Sequence, residues 1–326
     1  MTKTVIPVFQ SVFSSILYDF VNFKRMEGYK YNSEVKELQR FDKYLHSLTQ
    51  DSFEISEELI YPWLSRRSSE SDKTFSTRNS VYRQLYRYSS KLEEYKLPKP
   101  PYAIERLQSN SFTPYIFTHN QIKELFAAAD TDNTASQKFQ LYAPLLFRLL
   151  YGTGLRVNEA LSLLVSDVNI NSGLILIRDG KNDNSRLIPL ARSLCQRMNK
   201  FIKICRYTED EPLFQNSNQD SLGIKTVYEW YRRILWKAGI PHKGRGKGPR
   251  LHDIRHTFAV HSLQQAISQG MDINAYLPLL CTYLGHKRLS ATERYLRLTA
   301  EAYPSVMMEI NGIMNPIIPE VNDYEG

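Results

Sequence analysis

The chain has 326 residues, 42% of them hydrophobic, and a formal net charge of +8. That length suits two domains of ordinary size, and no run approaches the about 20 apolar residues that a membrane span requires. Cys195, Cys205 and Cys281 are odd in number, widely spaced and without a C-x-x-C; this argues against a disulfide framework or a structural zinc and for a reducing cytoplasm.

The N-terminal apolar run from Val5 to Phe20 is interrupted by Gln10, serines and Asp19, and it reads as an amphipathic helix rather than a signal peptide. Val12, Phe13, Ile16, Leu17 and Phe20 recur at helical spacing within Val8 to Met26. Asn32 or Ser33 can cap a second helix through Leu48. Ser56 opens a short third helix to Leu64, with Glu57 and Glu58 at its positive end. Ser71 or Thr74 opens a fourth, running through Val81, Leu85 and Leu92 to about Tyr95. Arg66 and Arg67 follow the third helix. Lys73, Arg78, Arg83 and Arg87 decorate the start and exposed side of the fourth, among Tyr82, Tyr86 and Tyr88. Cations at a helix entry can hold phosphates, although a solvated helix face has the same composition.

Residues 1–97 therefore read as a helical domain. Pro98, Pro100 and Pro101 cannot continue a helix, so residues 98–116 read as a semi-rigid linker.

Residues 117–326 form a second, mainly α domain with a small antiparallel sheet. Thr118 caps a helix carrying Ile122, Leu125 and Phe126. Leu141 to Tyr151 is another, ending at Gly152-Thr153-Gly154, and Arg156 to Leu164 resumes. Residues 173–178 and 186–190 read as two strands joined by a polar turn over 180–185. From Ala191 to about Gly312 the pattern is largely helical, with loops at 208–221 and 239–250. A tail, about 300–326, carries Val306, Ile310 and Ile313 on one helical face.

Several side chains of this domain suit chemistry on a phosphate. Arg156 lies in the first turn after the glycines, and Glu159, three residues on, can brace it. Lys181 lies in the turn between the strands and could give a proton to a leaving oxygen. The loop from His242 to Arg250 holds Lys243, Arg245, Lys247 and Arg250 among glycines without an acid, as a segment approaching a polyanion would. His252 and Arg255, three apart, share a helix face, whereas His256 and His261 read as helix-packing residues. Gly285 can end a helix just before His286, and Tyr295 follows nine residues later. Each of these alone is more often an ordinary surface or packing residue.

As a set they resemble the tyrosine recombinase (phage integrase) family. Its pattern is T-G-L-R-x-x-E-x-L, a hairpin G-K…R-x-x-P-L, H-x-x-R-H-T-F-A, L-G-H and a Tyr nine positions on. Arg156, Lys181, His252 with Arg255, His286 and Tyr295 stand at these places in order, across most of residues 117–299. The chain departs from the pattern at Asn184, where a second basic residue is common. The stretch from His256 to Leu284 is longer than usual and contains Pro278, and Leu-Arg follows Tyr295.

The resemblance implies a SAM-like helical core-site-binding domain followed by a mixed α/β catalytic domain. It implies that Tyr295 attacks a scissile phosphate to form a 3′-phosphotyrosyl link, and that Arg156 and Arg255, assisted by His286, hold the non-bridging oxygens. Lys181 would protonate the leaving 5′ oxygen and His252 would assist proton transfer at the phosphate and the tyrosine. No metal, ATP or other cofactor is implied. The partners are double-stranded DNA with specific sites, three further copies of the chain in a tetramer, and accessory recombination proteins; the tail would dock on its own domain or a neighbour's. The departures favour an integrase or transposase of a mobile element, with a chromosome-dimer-resolving recombinase as the alternative. A DNA-binding regulator without activity is a reading of another class. A metal phosphoesterase using His252, Asp253, His256 and His286 lacks a completing carboxylate set and an H-E-x-x-H.

Overall fold

The computed structural model describes residues 6–48, 52–92, 94–100, 113–178, 185–242, 244, 248–286, 292 and 295–299. The chain divides into two compact units, Met1–Phe112 and Thr113–Gly326.

The described residues of the first unit form four helices: α1 (Ser14–Met26), α2 (Asn32–Ser47), α3 (Glu57–Leu64) and α4 (Asp72–Ser89). The apolar stripes expected from the sequence close one core, with Ile16, Leu17, Phe20, Val35, Leu38, Ile60 and Leu85 fully buried. The first helix starts later than its apolar pattern. The buried carboxylate of Asp42 accepts from the backbone N–H of Gln10 at 2.7 Å and of Ser11 at 3.0 Å, and from the Ser11 hydroxyl at 2.6 Å. Those amides are thereby satisfied by α2 and not by a helical turn. Ser71 caps α4, as expected, by accepting from the Thr74 N–H.

Helix α4 ends at Ser89, short of the expected Tyr95. The chain beyond it pairs with residues 53–55, Lys96 N donating to Phe53 O and Ile55 N to Lys96 O. This turns Tyr95 and Leu97 back into the core. Pro98 is also tied to this unit, since its carbonyl accepts from the Tyr82 hydroxyl at 2.7 Å.

Arg78 corrects the reading of α4 as a basic exposed face. It is 1% exposed, its guanidinium donates to the Glu70 carboxylate and to Ser65 O, and it lies 5.6 Å from the ring centres of both Trp63 and Phe75. It fastens the loop between α3 and α4 and is not available to DNA. Lys73 and Arg87 are exposed and Arg83 half-buried. Arg66 pairs with Asp72, and Arg67 stacks on Trp63 at 4.9 Å.

The second unit begins with Phe117, wholly buried, whose N–H donates to Thr257 Oγ1 at 3.1 Å. Helices α5 (His119–Thr131) and α6 (Gln137–Thr153) follow, then the short α7 (Val157–Leu161). Thr118 caps α5 in a capping box with Gln121. The sheet has three strands and not two: β1 (Val168–Asn169), β2 (Leu174–Ile177) and β3 (Arg186–Pro189), antiparallel in that order, with Ile175 opposite Ile188. Two-residue β1 is too short to leave an alternation in sequence.

Helices α8 (Arg192–Cys205), α9 (Ile224–Lys237), α10 (Asp253–Ser268) and α11 (Ile273–Leu284) complete the named elements, and residues 295–299 are helical. In the longer stretch of the chain, α10 and α11 are joined by a turn at Gly270, and Pro278 is accommodated within α11 at an exposed position. The expected docking face in the tail lies outside the described residues.

Replacing Arg78 by Ala leaves Glu70 buried without its cation. Loss of one partner of a buried pair costs about 3–5 kcal/mol, whereas Arg87→Ala, at an exposed site, stays within about 0.5 kcal/mol. Chemical denaturation of the two variants checks this; equal stabilities would show that Arg78 does not fasten the unit.

Candidate active site

The break between α6 and α7 creates the first part of the site. Gly154 takes the left-handed conformation, φ +60°, and a Cβ there would run into the Phe258 ring. Glycine adopts this conformation without a Cβ penalty. The chain then restarts as α7 with Arg156 at its N-cap. The Arg156 guanidinium donates to Glu159 Oε1 at 2.7 Å and to Gly285 O at 3.3 Å, while its backbone N–H donates to Glu159 Oε2.

Arg255 lies on α10 and is 2% exposed. Its Nη1 donates to Gly154 O at 2.7 Å. Its Nη2 donates to Leu284 O at 2.6 Å and to His286 Nε2 at 3.0 Å. One guanidinium thus fastens the α6–α7 turn to the end of α11. A guanidinium only donates, so His286 Nε2 accepts and His286 Nδ1 carries the proton, which points to Thr292 Oγ1 at 2.9 Å.

Tyr295 is 2% exposed and belongs to a cluster with Ala259, Val260 and Leu263. Its ring stacks on His286, 6.0 Å between centres and 17° between planes. Its hydroxyl meets His256 Nδ1 at 3.1 Å. His252, at the N-cap of α10, touches the His256 ring edge-on at 4.8 Å. Arg156, His252, Arg255, His286 and Tyr295 therefore come together.

Lys181 lies outside the described residues, as do Lys243, Arg245 and Lys247. Arg250 is exposed, and its backbone is held by Asp253 and Tyr231. Asp253 is buried beneath that loop, and among the described residues no group of three or more His, Cys, Asp or Glu could hold a metal ion.

Two residues enter the site that the sequence reading did not assign to it. His256, taken as a packing residue, reaches the Tyr295 hydroxyl. Positions 252 and 256 are four apart and hence neighbours on one helix face, so the spacing held the signal. Arg186, at the start of β3, donates to both oxygens of Glu159, at 3.2 and 2.8 Å, and to Tyr283 O at 3.0 Å. Glu159 thus braces Arg156, as expected, and also joins the sheet to the site. Burial raises the Glu159 pKa, but hydrogen bonds from Arg186 and Arg156 outweigh it, so the group stays below the usual range.

The electrostatics are those of a cationic site whose carboxylate, Glu159, is engaged by Arg156 and Arg186. Burial, reinforced by the charge of Arg156, brings Arg255 down to about 10, still protonated at neutral pH. The acceptors that Arg255 holds are two carbonyls and an imidazole, all neutral. His286 is lowered to about 4 by burial and by the charges of Arg255 and Arg156. His252 reaches solvent along one side, yet the protein packed around it and the same two arginines also bring it to about 4. Both imidazoles are neutral at pH 7.

Known proteins share the sequence pattern and the fold of this chain. The model of the phage integrase family matches residues 116–302, more than half of the chain. The integrase/recombinase y4rB of Sinorhizobium fredii is 27% identical over 310 residues, 92% of this chain and 97% of that protein. Tyrosine recombinase XerA of Pyrococcus furiosus is 27% identical over 316 residues, 93% of this chain and 96% of that one. The fold is shared with the site-specific recombinase XerH in a post-cleavage complex with palindromic difH substrate, at a TM-score of 0.65 and 22% identity over 85% of this chain and 78% of that one. This is a tyrosine recombinase fold. The chain belongs to the phage integrase family.

The lowered histidines predict a pH dependence of stability. His252, His286 and His261, the last lowered to about 4 by burial and by His119, remain neutral in the folded protein, while an unfolded histidine takes a proton near 6.5. Below 6.5 the unfolded state binds more protons, so stability falls as pH drops from about 6.5 to about 4 and is unaffected by these groups above that window. Urea denaturation between pH 7.5 and 4 measures the fall, and NMR titration of the imidazoles measures its cause; a folded-state His286 titrating near 6.5 would contradict it.

Proposed function

We propose that the chain is a site-specific DNA recombinase in which Tyr295 attacks the scissile phosphate and forms a 3′-phosphotyrosyl bond, releasing a 5′ hydroxyl. The observation that carries this reading is Arg255. A buried cation whose hydrogen bonds go to neutral groups is costly, and a phosphate beside Tyr295 is an anion that this guanidinium can hold. Fixed cations aimed at the non-bridging oxygens stabilise the charge that grows there in the transition state. Arg156 and Arg255 form this clamp, and His286 assists. The resemblance supports Lys181 as donor of a proton to the leaving oxygen and His252 as an aid to proton transfer at the phosphate and the tyrosine.

The step exchanges one phosphoester for another. Its bond energy is kept in the phosphotyrosine, so it needs neither ATP nor a metal. A 5′ hydroxyl from a partner strand reverses it, and a tetramer working in the cytoplasm through a four-way junction joins two sites. Arg66, Arg67, Lys73, Arg83, Arg87, Lys243, Arg245, Lys247 and Arg250 are the proposed phosphate contacts outside the clamp. Residues 1–97 serve as the core-site-binding domain, 98–116 as the linker and 117–326 as the catalytic domain with its tail. We favour the integrase of a mobile element, which the relation to y4rB supports. The equal identity to XerA supports chromosome-dimer resolution as the second reading, and the presence or absence of terminal repeats around the gene separates the two.

The test uses a nicked duplex carrying the site that the wild-type protein selects from a random-sequence DNA pool. Wild type becomes covalently attached to it with or without EDTA. Tyr295→Phe binds the same site and forms no adduct; trapping of that variant on DNA would overturn the assignment of the nucleophile. Arg255→Ala loses about 10²–10³ in cleavage rate with site binding largely kept, and an unchanged rate would remove it from the clamp.

A further inference from the structure

Something must take the phenolic proton of Tyr295. A phenol is largely protonated at neutral pH, and the protonated oxygen is a weak nucleophile until a base removes its hydrogen. Tyr295 is 2% exposed, so its surroundings and not bulk water supply that base. His286, which stacks on the ring, is already committed: Arg255 occupies the lone pair of Nε2, and Nδ1 carries the hydrogen directed at Thr292. His252 meets the His256 ring edge-on, and it is His256 whose nitrogen reaches the hydroxyl, Nδ1 to Oη 3.1 Å. That distance lies within the reach of a general base.

We propose that His256 is a catalytic residue, the general base for Tyr295. This rests on the reading of Tyr295 as the nucleophile and assigns the fate of its proton. The Tyr295 O–H bond breaks and the proton moves to the lone pair of His256 Nδ1. The phenolate oxygen forms the new bond to phosphorus, and the bond from phosphorus to the 5′ oxygen breaks. The leaving oxygen keeps that electron pair and takes a proton from the general acid assigned to Lys181. In rejoining, the 5′ hydroxyl gives its proton back to the acid and attacks, the phenolate leaves, and imidazolium His256 returns its proton. His252, to which the resemblance gives a part at both the phosphate and the tyrosine, then acts directly at the phosphate and on Tyr295 only through the His256 ring that it meets edge-on.

The test compares single-turnover formation of the phosphotyrosyl adduct on the nicked selected site by wild type, His256→Ala and His256→Asn. The Asn amide can hydrogen-bond the Tyr295 hydroxyl but cannot accept its proton. A general base contributes about 10²–10⁴ in rate, so both variants slow by that factor while retaining site binding and thermal melting. Trifluorotyrosine in place of Tyr295, a more acidic phenol, restores most of the loss in His256→Ala. A 5′-thio leaving group, which relieves the need for a general acid, restores none of it.

Wild-type speed in His256→Asn would mean that the hydrogen bond merely positions Tyr295, and it would overturn the proposal. An unchanged His256→Ala, or failure of the acidic tyrosine to rescue it, would do the same. If Ala at 256 unfolds the protein, the near-isosteric Asn variant, with and without trifluorotyrosine, decides by itself. Tyr295→Phe run in parallel keeps the two ideas apart. An adduct on that variant overturns the nucleophile, whereas fast His256 variants beside an inert Tyr295→Phe overturn the base alone.

Discussion

The site depends on one buried guanidinium. Arg255 reaches Gly154 O on one side and Leu284 O and His286 on the other. Three segments far apart in sequence, the α6–α7 turn, the start of α10 and the end of α11, are set by its geometry. Because the guanidinium is planar and presents several fixed donors, the carbonyls it holds also fix the direction of its remaining face. A lysine would place a charge there but would not fasten both segments. The cost of burying a cation whose hydrogen bonds go to neutral acceptors is met by the packing around it.

Glu159 is the second hinge of the arrangement. One carboxylate accepts from Arg156 and Arg186, and Arg186 in turn holds Tyr283 O. The sheet, the first arginine and the end of α11 are thus coupled through ion pairs shielded from solvent, with Arg186 and Glu159 side chains 10% and 7% exposed. Gly285 belongs to the same arrangement, since a Cβ there would press on the Arg186 guanidinium. Strand β3 is thereby tied to Arg156 through the shared carboxylate of Glu159.

The first unit separates two uses of arginine that composition cannot distinguish. Arg78 is a structural cation, enclosed by Glu70, Trp63 and Phe75, while Arg87, nine residues later on the same helix, faces solvent. A count of basic residues on α4 therefore overstates what can meet a phosphate backbone.

What the sequence alone determined was the order and kind of the parts: two domains, helices where apolar stripes and caps agree, a small sheet, and an ordered set of Arg, Lys, His and Tyr characteristic of one family. These were legible because they are local or depend on spacing along the chain. Local spacing does not identify His256, since a histidine one turn from another on a mixed apolar face looks the same whether it packs or reaches a hydroxyl. The tertiary structure decided the rest. It ended α4 early by pairing residue 96 with 53–55, delayed α1 through Asp42, buried Arg78 against Glu70, recruited Arg186 to Glu159 and brought His256 to Tyr295. Each of these joins residues through a partner distant in sequence or across a turn, and neither periodicity nor composition carries the identity of such a partner.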